Sequence, residues 1–172
     1  DNSGISIFSG TVFGLFGKLF NKGKLSQITN LYTNLKKSFG DRFYIEIQRH
    51  NDDNEKGFER FNLNQSNNLK ISIIATNEVF YLTKDMHEAH DALICIGNKT
   101  YINEKNRIKY SPEHYLKSDN ELSELFADIP EALENNYNFP LRCSFRPLFS
   151  KPILPNISSS EEGNASDIIK KN

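Results

Sequence analysis

Between Lys24 and Ala75 the chain switches its apolar period from helical to alternating and back, and that rhythm restricts the folds open to it. From Lys24 the residues Leu25, Ile28, Leu31, Tyr32, Leu35 and Phe39 recur three and four apart, and Gly40 stands at the stop. This is the pattern of an amphipathic helix closed by glycine. Arg42 to Gln48 then alternates Phe43, Ile45 and Ile47 with Tyr44, Glu46 and Gln48, the period of a strand. A loop rich in Asn and Asp opens at His50. Glu55 to Asn67 reads as a second helix, with Phe58, Phe61 and Leu63 set among polar residues and asparagines that lower its propensity. Lys70 to Ala75 packs Ile71, Ile73 and Ile74 into a nearly continuous apolar run, as in a strand covered on both faces. Strands alternating with helices predict an α/β chain with parallel strands.

The flanks extend the rhythm. Ile5 to Phe8 predicts a strand that turns through Ser9 and Gly10 into a short helix. The apolar stretch Gly4 to Phe20 that contains it lacks a basic leader and is broken by Gly10, Gly14 and Gly17, so it is neither a signal peptide nor a membrane span. Thr83 is a candidate N-cap, followed by Met86, Ala89, His90, Leu93 and Ile94 on one stripe. Pro112 is expected to begin a short helical turn carrying His114. Ser118 to Glu121 has the spacing of a capping box, and Asp128 with Pro130 reads as the cap and first turn of the next helix. Past Arg142 the prolines 147, 152 and 155 and the run Ser158 to Glu162 predict an extended linker, with a helix beginning at Asp167 to Lys170. We therefore expect a folded unit over 1–143 and a linker over 144–172. The start at Asp1 and the incipient last helix both suggest cuts through a larger fold.

Charge narrows the partners. Lys and Arg number 21 against 22 Asp and Glu in 172 residues, so no global field draws the chain to nucleic acid or an anionic membrane. Cys95 and Cys143 lack metal-ligand spacing, which fits a reduced, cytoplasmic setting.

Chemistry-bearing residues are sparse. His87 and His90 sit three apart, one short of the zincin spacing, and His90 lies on the apolar stripe, where a histidine pinning the helix to a neighbour is the expectation. His87 is expected to face solvent. His50 and His114 have no second ligand nearby in sequence and read as loop and surface residues. Glu46, mid-strand, must face water or be paired, and is the sharper candidate for a functional carboxylate. There is no phosphate loop, no nucleophile elbow and no Asp-x-Asp pair for two-metal phosphoryl transfer.

Three strings in order, IATNEVFYL (Ile74 to Leu82), EAHDALICIG (Glu88 to Gly97) and LSELFADIPEAL (Leu122 to Leu133), carry a family resemblance. FYIEIQRHN (Phe43 to Asn51) precedes them and YSPEHYLKS (Tyr110 to Ser118) lies between the last two. Together they resemble the alpha subunits of bacterial DNA polymerase III, the C-family replicative polymerases, from about Gly4 onward. The resemblance implies the second half of a polymerase-and-histidinol-phosphatase (PHP) domain, part of a distorted (β/α) TIM-like barrel. It also implies that the strands bearing a His-x-His metal motif precede Asp1 and that the polymerase core follows Asn172.

Metal-binding members of that domain family place a His or Cys after an SG-type turn and Asp and His in a TND-x-H string. The corresponding residues here are Thr11, Glu78 and Phe80: a weak ligand, a competent one and a phenyl ring that cannot ligate. The resemblance thus implies a degenerate site, with no catalytic residue, no metal and no cofactor. It further implies a non-catalytic scaffold joined to the remainder of the polymerase chain, with the proofreading exonuclease subunit as a docking partner and DNA reached only through the intact polymerase. No membrane contact is expected. A stand-alone PHP-type metal-dependent phosphoesterase and the remnant of a split gene stay open as alternatives.

Overall fold

β2 (Phe43–Ile47) forms the centre of a three-stranded sheet in the computed structural model, which describes residues 3–152. β1 (Ile7–Phe8) and β3 (Ser72–Ala75) flank it, and both pairings are parallel, with Ile7 opposite Phe43 and Tyr44 to Ile47 opposite Ser72 to Ala75. α1 (Leu15–Asn21) and α2 (Leu25–Phe39) connect β1 to β2, and α3 (Glu55–Leu69) connects β2 to β3. The α/β class with parallel strands is therefore observed. After β3 come α4 (His87–Asn98), α5 (Asp119–Leu125) and α6 (Pro130–Asn138). Residues 144–152 form no helix or strand and are exposed. The Ser158 to Glu162 run and the helix start at Asp167 lie outside the described residues.

The helix over Leu25–Phe39 ends at Gly40 with φ +62°, a value that favours glycine. Its inner residues Ile28 and Tyr32 are fully buried, and the Tyr32 ring meets Phe16 at 4.7 Å and Phe43 at 5.6 Å, both edge-on. Gly17 lets α1 lie on the preceding turn, since a Cβ there would stand 1.9 Å from the Val12 carbonyl oxygen. The expected alternation in β2 gives way to near-continuous burial: Phe43, Tyr44, Ile45 and Ile47 are all buried. A central parallel strand has both faces covered, and Tyr44 packs edge-on against Phe8 and Phe139.

Three other expectations are corrected. The inner face of α4 is centred on His87, Asp91 and Cys95; of the expected stripe His90 and Ile94 are half-buried, but Met86, Ala89 and Leu93 are exposed, Leu93 to 64 %. The cause is polar: Arg107, its side chain buried, forks onto Asp91 and draws that face inward. Thr83 precedes a short 3-10 turn (Lys84–Met86) without a side-chain cap bond. Residues 111–117 form no helix, because Phe80 N donates to His114 O (2.9 Å) and Leu116 N to Tyr81 O (3.0 Å), pairing Tyr81 with Tyr115 in an isolated bridge.

Asp128 does not cap α6; Ile129 holds that position. Asp128 is taken by Arg49, just past β2, whose guanidinium also forks onto Glu59 of α3 and donates to the Leu125 carbonyl at 2.6 Å. Its plane lies 4.9 Å from the Phe126 ring. On the far side of the sheet, Asn135 of α6 donates to the Ile73 carbonyl at 2.8 Å, occupying the outer edge of β3. Both cysteines are free, Cys95 buried and Cys143 exposed. Among the described residues no helix is long and apolar enough to cross a membrane.

Two measurements check this frame. Arg49→Lys loses the two-pronged contacts that only a guanidinium makes, and the expected cost is about 2 kcal/mol in urea unfolding. At α5 the Ser118 capping box is formed, and hydrogen bonds from the Ser118 backbone and hydroxyl and from Tyr115 hold the Glu121 carboxyl at about 2, below its ordinary 4.5. A carboxyl lowered in the folded state stabilises above its unfolded value, and that contribution is lost as pH falls through the folded one. The melting temperature should therefore drop between pH 4.5 and 2, and Ser118→Ala should shift the NMR titration of Glu121 upward.

Candidate functional site at the carboxyl ends of the strands

Parallel sheets present ligands and chemistry beyond the carboxyl ends of their strands, where loops from several strands converge. Here β2 is followed by Arg49, His50 and Asp52, and β3 by Asn77, Glu78 and Phe80. The tight turn after β2 carries Asn51 and Asn54 at φ +62° and +65°, the left-handed region that asparagine tolerates best after glycine. This turn swings the start of α3 back over the strand end. Glu55, its first residue, then accepts from the His50 backbone N–H at 2.7 Å and faces His50 Nδ1 at 3.3 Å.

His50 and His114 lie in loops but are almost completely buried, 1 % and 0 % exposed, which overturns a surface role. Their rings stack with centroids 4.0 Å apart and planes within 2°. His50 Nε2 meets Asn77 Oδ1 at 3.0 Å and the backbone N–H of Glu78 at 3.2 Å. His114 Nδ1 lies 3.1 Å from the Glu78 carbonyl and Nε2 lies 3.0 Å from Asp52 Oδ2. Sequence spacing hid the pair because the two rings come from distant loops. The available signal was the position of His50 just past a parallel strand, with Asp52 and Glu55 following.

The stack continues outward. Phe80 lies 4.9 Å from His114 at 23° and 5.2 Å from His90 at 11°, so four rings run in the order His50, His114, Phe80, His90. Tyr110 abuts the column, 4.6 Å from Phe80. His90 thus pins α4 to the loop after β3. His87 does not face solvent freely, because its Nε2 lies 2.9 Å from the Tyr110 carbonyl.

His50, Asp52 and His114 offer one ligand atom each within 4.8 Å of one another. A histidine lone pair lies in its ring plane, and two parallel rings stacked at 4.0 Å cannot both aim at one ion. Coordination would require the rings to turn, breaking the bonds to Glu55 and Glu78. Of the positions taken from the family motif, Thr11 accepts from Phe13 N at 3.2 Å in the turn after β1. Glu78 is part-exposed, with Oε2 4.0 Å from His114 Nδ1. Phe80 occupies the middle of the ring column. Glu46 is paired: one oxygen accepts from Gln48 Nε2 at 3.1 Å and from the Thr76 hydroxyl. Lys117, missed in the sequence, is buried beside this site. Its ammonium donates to the Glu113 carbonyl and sits 4.3 Å from the Tyr115 ring, and burial pushes its amine pKa down.

Loops after parallel strands are tied here by a hydrogen-bonded ring stack, without a convergent ligand set. No family model matches the chain. Its sequence does match bacterial proteins named DNA polymerase III subunit alpha. The one from Caulobacter vibrioides is 32 % identical over 166 residues, 96 % of this chain and 14 % of that protein. The one from Rickettsia bellii is 38 % identical over 158 residues, 92 % of this chain and 13 % of that protein. The one from Campylobacter jejuni is 38 % identical over 128 residues, 74 % of this chain and 11 % of that protein. Over most of its length, then, the chain is a sequence relative of one segment of the bacterial DNA polymerase III alpha subunit.

Because Phe80 makes three ring contacts, with His90, Tyr110 and His114, each worth about 0.5–1.5 kcal/mol beyond buried area, Phe80→Ala should destabilise the chain by about 2–4 kcal/mol. Elemental analysis after chelator-free purification should find far less than one zinc or manganese per chain; near-stoichiometric metal would mean that the rings turn to converge.

Proposed function

We propose that this chain is a non-catalytic scaffold segment of a replicative DNA polymerase, the second half of a PHP-like domain spanning residues 1–143. In this reading the segment from 144 onward leads toward the polymerase core. The observation that carries the reading is the match to DNA polymerase III alpha subunits over up to 96 % of the chain. The Phe80-filled ring column is its structural counterpart, since a phenyl ring stands where metal-binding relatives of the domain are expected to place a ligand. The three parallel strands are compatible with part of a (β/α) barrel. Nucleotide transfer belongs to the remainder of the polymerase chain, and DNA is engaged through it.

In this role the domain would also dock the proofreading exonuclease subunit. The stand-alone phosphoesterase is the weaker reading, because the two imidazoles of the candidate ligand group, His50 and His114, lie in parallel rings and Phe80 supplies no donor. Three assays separate the readings. The purified chain should neither extend a primer nor hydrolyse a phosphomonoester in the presence of manganese. A purified exonuclease subunit from a related bacterium should bind it by calorimetry. Manganese-dependent hydrolysis abolished by Glu78→Gln would reverse the assignment in favour of the phosphoesterase, and absence of exonuclease binding would remove the docking role alone.

A further inference from the structure

α3 turns a polar stripe toward the sheet. Glu55, Phe58, Glu59 and Asn62 follow one another at i, i+3, i+4 and i+7, so they share a face. Glu55 holds His50 and Glu59 holds Arg49. Asn62, 0 % exposed, accepts from the Tyr32 hydroxyl at 3.0 Å through Oδ1, while its Nδ2 has no hydrogen-bond partner among the described residues. Asn62 lines a small cavity between the end of β2, the turn after β1 and α3. Thr11, Glu46, Gln48, Glu55 and Glu59 line it too, leaving room for the centre of a single water-sized sphere, about 10 Å³.

We propose that this cavity is a binding site for one water molecule, which accepts a hydrogen bond from Asn62 Nδ2 and donates to the carboxylates in the wall. The chemistry of the wall selects the ligand. A cation cannot accept from an amide N–H. An anion would face Glu46, Glu55 and Glu59 together. Water does both, and a cavity of this size holds one when it offers two or more polar partners. The bound water joins Tyr32 and Asn62, at the centre of the core, to the acidic wall that positions His50 and Arg49. The inference stands apart from the polymerase reading and does not rest on it.

Crystals of the whole 172-residue chain, at a resolution where waters are refined individually, test it directly. The expected result is one solvent peak about 2.7–3.2 Å from Asn62 Nδ2 and from at least one carboxylate of Glu46, Glu55 or Glu59. The peak should persist in Tyr32→Phe, which keeps the Asn62 amide, and vanish in Asn62→Leu, which replaces the donor with apolar volume. A dry cavity in the wild-type crystal overturns the proposal. So does an anomalous peak at the site after a rubidium soak, which would mean that the amide is reversed and a monovalent cation is the ligand. The wild-type and Tyr32→Phe crystals decide the question even if Asn62→Leu fails to fold.

Discussion

The carboxyl ends of the strands are organised by the saturation of one side chain. Arg49 has five N–H donors, and all are used: Nε on Glu59, Nη1 on the Leu125 carbonyl and Asp128, Nη2 on Glu59 and Asp128. A guanidinium is rigid and planar, so satisfying every donor fixes three elements around it at once. The central strand, the first turns of α3 and the junction between α5 and α6 are locked to a common point. The two carboxylates raise the Arg49 pKa further, and Arg49 lowers that of Asp128. The residue next along is His50, so the same lock sets where the ring stack begins.

The ring column does by packing what a bound ion would do by coordination. It ties the loop after β2, through His50, to the loop after β3, through Phe80, to the 111–117 segment, through His114, and to α4, through His90. A metal demands convergent lone pairs and strict distances. Stacked rings demand only flat faces at van der Waals separation, and one apolar ring in the column is no defect. Phe80 is therefore a structural member of the column, supplying the contact between His114 and His90.

What could be read from the sequence was what is local. Leu25 to Phe39 with Gly40 declared a helix and its stop, Ser118 to Glu121 declared a cap, and Ile71 to Ala75 declared a buried strand, because each pattern is completed within a turn or a strand. What could not be read depended on partners far along the chain. Tyr44 belongs to an alternating pattern but is buried because Phe139 and Phe8 cover the second face of the sheet. The inward face of α4 is decided by Arg107, and Asp128 leaves the cap of α6 because Arg49 claims it. His50 and His114 were invisible as a pair for the same reason, since nothing in either neighbourhood points to the other.

α3 shows how a helix of modest propensity earns its place under such constraints. Its asparagines and its stripe of Glu55, Glu59 and Asn62 would be poor choices for a helix judged by propensity and apolar burial alone. Each of these polar residues, however, meets a donor that the sheet or α2 brings to it: His50, Arg49 and Tyr32 in turn. Phe58 supplies the apolar contact between them, fully within the core. Buried polar groups are tolerable when satisfied and costly when not. The helix is therefore held in one register, because sliding or rotating it by a residue would strand three partners at once. An apolar stripe would have bound α3 to the sheet with less dependence on register, and the ring stack above it would have lost its foundation.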